Sequence, residues 1–272
     1  MHEIDQIRLT KWIESLLAKG RNSFSLDDVR QILSEDSEAA IKLKLTRLSK
    51  RGNILSIHKG YYLIISPQYS SRGILPPALF VDGLMKYLNR PYYVGLLSAA
   101  AFFGAAHQQP QEYYVFTELP ALRPVKKKGL KINYVSKSSI PAQLLEQRKT
   151  EMGYLTISSP ELTAVDLIQY EKRIGGLNRV GTVLNDLTEA MNQDRINDLF
   201  IRETAVAVLQ RLGYLLENIL GKNSLADHLY ESCMMKQLVF FRIPLRIAYK
   251  TIGFPADERW KVIINTNIEI DE

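Results

Sequence analysis

The fold of the N-terminal part is decided by the stretch Glu38-Ala39-Ala40-Ile41-Lys42-Leu43-Lys44-Leu45-Thr46-Arg47-Leu48-Ser49-Lys50-Arg51-Gly52. Three apolar residues, Ile41, Leu45 and Leu48, recur at helical spacing and share one face. The opposite face carries Ala39, Leu43, Thr46, Arg47 and Lys50. No acidic residue occurs from Ala39 to Val81. A helix of this kind suits a DNA major groove, although an ordinary solvated helix has the same pattern.

The flanking sequence favours the DNA-binding interpretation. Ser25 is placed to cap a helix over 25–33, with Asp28 three residues later as in a capping box. An earlier amphipathic helix carries Leu9, Trp12, Ile13, Leu16 and Leu17. Ser37 can cap the third helix, over 38–51, and Gly52 can end it. Two strands then surround the turn His58-Lys59-Gly60. Three helices followed by a β-hairpin predict a winged helix-turn-helix over residues 1–66, with Lys59 at the tip of the wing.

Composition and charge limit the class of protein. The chain has 272 residues, of which 46% are apolar and 24% charged, so we expect two folded domains. A net charge of +6 favours an anionic partner. Cys233 is the only cysteine, which excludes a disulfide framework and favours a reducing cytosol. The N-terminus shows no signal peptide, and no apolar stretch is long enough for a bilayer. We therefore expect a cytoplasmic protein without membrane contact.

The rest of the chain predicts an α+β domain. Turn-forming residues near Ser66–Gly73 place a linker at 67–76, before a larger, mainly helical C-terminal domain at 77–272 with a small sheet. Predicted strands cover 113–116, 131–135, 154–157 and 260–264. Predicted helices cover 77–89, 95–106, a segment after Pro160, 177–191, 195–220 and 224–235.

Several motifs resemble the AbiEi family of antitoxins, from bacterial abortive-infection toxin–antitoxin operons. They are the stretch 45–52 with Lys59-Gly60-Tyr61-Tyr62, the stretch Tyr93-Val94-Gly95-Leu96-Leu97-Ser98-Ala99-Ala100, the stretch Ser158-Ser159-Pro160-Glu161-Leu162-Thr163-Ala164-Val165-Asp166-Leu167-Ile168, Gly175-Gly176-Leu177-Asn178-Arg179-Val180, and Trp260-Lys261-Val262-Ile263-Ile264-Asn265. The first is generic to winged helices, and the stretch 158–168 is more distinctive.

The resemblance implies a function for each part of the chain. The N-terminal winged helix would bind double-stranded DNA at the promoter of its own operon, at inverted repeats, and repress it. The C-terminal domain would counteract a nucleotidyltransferase-like toxin encoded next to it. In the type IV arrangement the two proteins need not touch. Such antitoxins can also engage DNA through a second positive face.

Two basic regions supply the predicted DNA contacts. The recognition helix and wing contribute Ser37, Lys42, Leu43, Thr46, Arg47, Lys50, Arg51 and Lys59. A second run contributes Arg123, Lys126, Lys127, Lys128 and Lys131, which we expect in a loop between two strands. That run is equally explained as a solvated turn whose lysines keep a sheet edge from pairing.

Searches for catalytic and metal chemistry find no site. Gly221-Lys222-Asn223 lacks the first glycine and the hydroxyl of a phosphate-binding loop. His228 and Cys233 are five residues apart and point to different faces of a helix. His107 is the best single candidate for acid–base chemistry. We predict no catalytic residue, cofactor or metal, and no enzyme.

Two carboxylates and four tyrosines invite other interpretations. Glu161, directly after Pro160, is explained by its place in the first turn of a helix. Asp166 interrupts an apolar helix, and bonds a buried partner or marks an interface. A winged-helix regulator whose C-terminal domain binds a ligand stays an alternative, with pocket walls from Tyr92, Tyr93, Tyr113 and Tyr114. A DNA-binding enzyme such as a nuclease is the weakest alternative, because no carboxylate cluster is visible.

Overall fold

The second and third helices begin at the predicted caps, and the third ends before the predicted Gly52. The computed structural model describes residues 2–105 and 112–270. Ser25 and Asp28 form a capping box: the Asp28 N–H donates to Ser25 Oγ at 3.0 Å, and the Ser25 N–H donates to Asp28 Oδ2 at 2.8 Å. Ser37 Oγ accepts from the Ala40 N–H at 3.3 Å. Gly52, after the third helix, has a φ of +77°, which a residue without Cβ adopts at little cost.

The chain is a mixture of helices and small sheets, so the predicted α+β class is confirmed. The helices are α1 (His2–Ala18), α2 (Leu26–Ile32), α3 (Glu38–Lys50), α4 (Val81–Tyr87), α5 (Leu96–Ala100), α6 (Pro160–Gln169), α7 (Glu171–Ile174), α8 (Leu177–Leu187), α9 (Asp198–Glu203), α10 (Val206–Tyr214) and α11 (Asn223–Met235). Short 3₁₀ turns cover Pro67–Tyr69, Pro77–Leu79, Ala101–Phe103, Ala142–Leu144, Thr188–Ala190 and Gln193–Arg195, and a π-helix covers Leu215–Ile219. The strands are β1 (Ser23–Ser25), β2 (Ile54–His58), β3 (Tyr61–Ile64), β4 (Tyr92–Val94), β5 (Glu112–Glu118), β6 (Val125–Lys127), β7 (Leu130–Lys137), β8 (Leu145–Thr150), β9 (Gly153–Ser158), β10 (Ile243–Pro244) and β11 (Val262–Ile263).

Helices α1 to α3 and a three-stranded sheet enclose one apolar core. Its buried members are Leu9, Ile13, Leu16, Phe24, Val29, Leu33, Ile41, Leu45, Leu48, Ile54 and Ile64, with Trp12 and Tyr62 packed against them. The strands lie in the order β1-β3-β2 and all pair antiparallel. Strand β1 was not predicted, because a three-residue strand has too few residues to show alternation.

The compact units of the chain do not divide at the predicted linker. Of the described residues, the first unit comprises 2–93, 112–140 and 147–156, and the second comprises 94–105, 141–146 and 157–270. Ile74 and Leu75, within the predicted linker, are buried. The wing also packs on the chain that follows, since Tyr87 Oη donates to the Lys59 carbonyl at 3.3 Å. Independent folding of residues 1–66 therefore stays a prediction.

A six-stranded sheet has the order β6-β7-β5-β4-β9-β8. Strands β5 and β7 run parallel over their whole length, β4 is parallel to β9, and β6 pairs antiparallel with β7 at one edge. Strands β4, β6 and β8 were not predicted from the sequence. Strand β4 has only three residues, too few to show alternation. Strands β6 and β8 lie at sheet edges, where polar side chains face solvent and the apolar alternation of a half-buried strand is lost.

The second unit is built around α6, which contacts α5, α8 and α10. Residues 160–168 of α6 are all buried. The predicted helix over 195–220 is interrupted: α9 ends at Glu203 and α10 begins at Val206, after which the chain continues as the π-helix. The predicted strand over 260–264 is limited to β11, which pairs parallel with β10.

No helix within residues 2–105 and 112–270 combines the length and apolar character needed to cross a bilayer.

Candidate nucleic-acid interface

Helix α3 has one buried and one exposed face, in the predicted orientation. Ile41, Leu45 and Leu48 are 2%, 4% and 2% exposed. The exposed face carries five of the predicted contact residues, namely Lys42, Leu43, Thr46, Arg47 and Lys50. The orientation of the helix is thus confirmed, whereas its contact with DNA stays a prediction.

Lys44 departs from the pattern of its neighbours. Unlike the other cations of this helix, Lys44 is only 3% exposed, and it forms an ion pair with Asp36. Lys44 directly precedes Leu45 and lies three residues after Ile41, so its aliphatic stem can pack beside the buried stripe while the ammonium reaches a carboxylate. Lys44 therefore stabilises the turn between α2 and α3 and is not available to a ligand.

Acidic side chains near the start of α3 are also neutralised within the protein. Arg30 Nε lies 2.7 Å from Glu38 Oε1, and Arg30 Nη1 lies 2.7 Å from Asp27 Oδ1. The hydrogen bonds from Arg30 lower the pKa of Glu38, which therefore stays ionised and paired. These contacts limit the negative potential beside the exposed face of α3.

The remaining cations of α3 and the wing have no such partners. In the part of the chain that the structure describes, no carboxylate lies within 4 Å of Lys42, Arg47, Lys50, Arg51 or Lys59. All five are exposed. A ligand that carries phosphates could therefore pair with them without first breaking an internal ion pair.

Two hydroxyl side chains in the predicted site already make local hydrogen bonds. Thr46 Oγ1 donates to the Lys42 carbonyl at 2.7 Å, so Thr46 can offer a ligand its methyl group or an acceptor but not this proton. Ser37 Oγ accepts from the Ala40 N–H and keeps its own proton free for donation. Of these two hydroxyls, only that of Ser37 is free to donate to a ligand.

The wing turn presents Lys59 to solvent. Gly60 has a φ of +75°, and a Cβ added there would lie 2.6 Å from Tyr87 Oη. The rings of Tyr61 and Tyr87 are 4.9 Å apart. The turn is therefore held by close packing, with the Lys59 side chain outside it.

The second basic run lies largely in a hairpin and not in a loop, which corrects the prediction. Val125–Lys127 is an edge strand, and the turn to β7 is made at Lys128 and Gly129, whose φ angles are +49° and +80°. The four cations that stay exposed are Arg123, Lys126, Lys127 and Lys128. Lys131 Nζ lies 2.6 Å from Glu112 Oε1, and this contact lowers the pKa of Glu112. Lys126 and Lys127 lie on this edge strand, as expected if the lysines of the run keep the sheet edge from pairing with another strand.

Other singled-out side chains are buried. Cys233 is fully buried, and burial raises its pKa to about 12, so it is not a reactive thiolate near neutral pH. Glu161, 1% exposed, accepts the Asn192 N–H at Oε1 over 2.8 Å, a contact that its first-turn position did not predict. Asp166 is also fully buried. His107 lies outside the described residues, among which no group of three or more potential metal ligands occurs.

Three of the four tyrosines considered as pocket walls are buried in the first unit, and Tyr113 is half-buried. Tyr92, Tyr93 and Tyr114 are buried. Tyr93 stacks on Phe116 with 4.7 Å between ring centroids, and Tyr92 Oη donates to Asp82 Oδ1 at 3.0 Å. Their rings therefore serve as core.

Comparison with known proteins finds a family model that matches part of the chain. Residues 93–218 match the family model described as the AbiEi antitoxin C-terminal domain. The crystal structure of the RV2827C protein from Mycobacterium tuberculosis is similar, with a TM-score of 0.67 and 18% identity over 93% of this chain and 90% of that one. At this identity the likeness shows a shared fold. An antigenic nucleotidyltransferase-like protein from Paracoccidioides brasiliensis matches at a TM-score of 0.33, with 13% identity over 57% of this chain and 90% of that one. No curated protein matches the chain.

The matched region includes the distinctive motif 158–168, which forms the buried helix α6 and its N-cap Ser159. Over residues 93–218, the chain is therefore similar to the AbiEi antitoxin C-terminal domain, as its motifs indicated.

Proposed function

We propose that this antitoxin binds the promoter of its own toxin–antitoxin operon through a winged helix at residues 1–66 and opposes a nucleotidyltransferase-like toxin. The observation that carries the DNA-binding part is the exposed face of α3, where unpaired cations lie opposite a fully buried apolar stripe. A helix held in this way can enter a major groove without disturbing its core.

The roles of the cations follow from their positions. Arg47, at the middle of the exposed face, can bind the O6 and N7 atoms of guanine with its planar guanidinium. Lys50 and Arg51, at the C-terminal end of α3, and Lys59 on the wing are placed to contact phosphates. By binding its own promoter, an antitoxin would limit expression of the toxin–antitoxin operon.

We expect Arg47→Ala and Lys50→Ala to weaken DNA binding in different ways. Arg47→Ala should cost about 1–3 kcal/mol on the operator and little on a scrambled duplex, because it removes base reading. Lys50→Ala should weaken binding to both duplexes and lower the slope of log K against log salt by about 1. The measurement is fluorescence anisotropy of the full chain with labelled duplexes from its own promoter region, at several salt concentrations.

Arg202→Ala is the matched control for this experiment. It removes the same charge from an arginine on α9 whose side chain is 74% exposed. If Arg202→Ala weakens operator binding as much as Arg47→Ala, only net charge matters and the recognition role of α3 is wrong. If the wild-type chain does not change the fluorescence anisotropy of the labelled promoter duplex, DNA binding itself is refuted.

We further expect repression and protection to separate. The double variant Arg47→Ala/Lys50→Ala, expressed from a replaced promoter, should protect cells from the toxin as well as the wild type while losing repression of a promoter reporter. The reason is that both substitutions lie on an exposed face outside the matched antitoxin domain. Loss of protection by a folded double variant would show that neutralisation works through nucleic acid, and the run 123–131 would then be mutated first.

A further inference from the structure

Helix α4, which lies outside the predicted winged helix, packs directly against the wing. Tyr87, the last residue of α4, donates through Oη to the Lys59 carbonyl at 3.3 Å. Between centroids, the Tyr87 ring lies 4.9 Å from the ring of Tyr61 and 6.4 Å from that of His58. Residues that precede and follow the wing turn therefore meet one side chain of α4.

The fit between α4 and the wing is close. A Cβ added to Gly83 would lie 2.6 Å from Tyr61 Oη, so α4 can approach this hydroxyl only because residue 83 has no side chain. Tyr61 Oη also shares a hydrogen bond with Ser23 Oγ at 2.7 Å, and Tyr61 is 5% exposed. Tyr61 is therefore held between β1 and α4, beside the wing turn.

The start of α2 supplies a second contact to the wing turn. The Leu26 N–H donates to the Gly60 carbonyl at 2.8 Å. A Cβ added to Gly60 would lie 2.6 Å from Tyr87 Oη and 3.9 Å from Leu26 Cβ. Through the carbonyls of Lys59 and Gly60, the turn is thus bonded to both α4 and α2.

Helix α4 is itself anchored and can serve as a support. Tyr92 Oη donates to Asp82 Oδ1 at 3.0 Å and accepts the Thr156 N–H at 3.3 Å. Asn22 Nδ2 donates at 2.7 Å to the carbonyl of Leu79, just before α4. These bonds join α4 to strands β4 and β9 and to the residue before β1, all within the first unit.

The residue that Tyr87 bonds is the one whose side chain the wing presents. Lys59 is exposed, and it is the predicted phosphate contact of the wing. Because Tyr87 holds the Lys59 carbonyl, the peptide from which the lysine side chain extends is fixed before DNA binds. Only the side-chain torsions of Lys59 then lose freedom on binding, which lowers the entropic cost of the contact.

We propose that Tyr87 is a positioning residue for DNA binding, which holds the wing turn so that Lys59 meets a phosphate of the operator. The inference rests on the proposed DNA-binding function. It extends the DNA-binding module beyond residue 66 to the end of α4. Tyr87 acts through Lys59 and not through a contact of its own with DNA.

The test is a double-mutant cycle on the full chain, measured by fluorescence anisotropy with promoter and scrambled duplexes at several salt concentrations. Lys59→Ala should weaken binding to both duplexes and lower the slope of log K against log salt by about 1, because one phosphate contact is lost. Tyr87→Ala should weaken binding to both by about two- to tenfold, as expected for one hydrogen bond, and should also lower the slope. The double variant should bind no more weakly than Lys59→Ala alone, since two residues that act through one contact are not additive.

Tyr154→Ala is the matched control for Tyr87→Ala. Tyr154, on β9, is another exposed tyrosine of the first unit, with 62% of its surface accessible. Its removal should change neither the affinity nor the salt slope. Tyr87→Phe removes only the hydroxyl and decides the question if circular dichroism shows that Tyr87→Ala does not fold. The loss that Tyr87→Phe causes should likewise disappear when residue 59 is alanine.

The outcomes separate this inference from the proposed function. If the effects of Tyr87→Ala and Lys59→Ala add in the double variant, or if Tyr154→Ala weakens binding equally, the positioning role is wrong. An unchanged salt slope for Tyr87→Ala contradicts it too. If Lys59→Ala has no effect, the wing makes no phosphate contact, and the inference falls while the role of α3 stands. If the wild-type chain does not bind the promoter duplex, the proposed function itself is wrong.

Discussion

Replacing Gly213 by alanine is expected to lower the free energy of unfolding by about 3 kcal/mol or more. A Cβ at this position would lie 2.1 Å from two atoms of the Trp260 ring and 2.3 Å from a third. Trp260 is fully buried, and its indole N–H donates to Glu217, so the ring has no space into which it can move. Thermal and urea unfolding of the full chain, followed by circular dichroism, measures the loss.

Gly181→Ala is the matched control for this substitution. Both glycines lie inside helices, but a Cβ at Gly181 would lie 3.0 Å from the Cγ2 methyl of Ile268, a half-buried residue outside any helix or strand, whose segment can shift. Alanine is intrinsically better than glycine in a helix by about 1 kcal/mol. Gly181→Ala should therefore change stability by less than about 1 kcal/mol. A Gly213→Ala protein as stable as the wild type would show that the contact with Trp260 is not as close as described.

Leu45→Ala is expected to cost about 2–5 kcal/mol of stability. Leu45 is 4% exposed and belongs to the core that joins α1, α2 and α3 to the hairpin. Removing three buried carbon atoms loses their transfer free energy and leaves a cavity in a small core. Denaturant unfolding of the full chain, followed by circular dichroism, measures the loss.

Leu43→Ala removes the same atoms from the same helix two residues earlier. Leu43 is 49% exposed, so its truncation should change stability by less than about 0.5 kcal/mol. Any effect of Leu43→Ala should appear in DNA binding instead. If Leu43→Ala destabilised the protein more than Leu45→Ala, the assignment of the two faces of α3 would be reversed.

Much of the N-terminal architecture was predictable because its signals are local. Capping residues lie within three positions of the groups they satisfy, as with Ser25 and Asp28. The stripe of Ile41, Leu45 and Leu48 spans only two turns, so its periodicity reveals the buried face directly. Elements later in the chain were harder to predict from the sequence. The polar edge strand β8 shows no apolar alternation, and the break between helices α9 and α10 depends on packing.

The location of the candidate site was predicted, but which of its cations are exposed and which are paired with a carboxylate was not. The sequence gives Lys44 and Lys50 the same residue type on the same helix, yet Lys44 is buried against Asp36 and Lys50 is exposed. Lys131 likewise belongs to a basic run, although Glu112, nineteen positions earlier, pairs with it. Ion pairing depends on which distant carboxylate the fold brings within reach.

By itself, the sequence determined the N-terminal helices, the outward face of α3, the class of fold and, by its motifs, the likeness of residues 93–218 to the AbiEi antitoxins. The tertiary structure alone decided where the compact units divide and which cations stay free. The physical reason is that helix periodicity and capping act between neighbours, whereas burial and charge pairing depend on residues that meet only after folding. Gly213 and Trp260 are an example, because only folding brings that ring against the glycine.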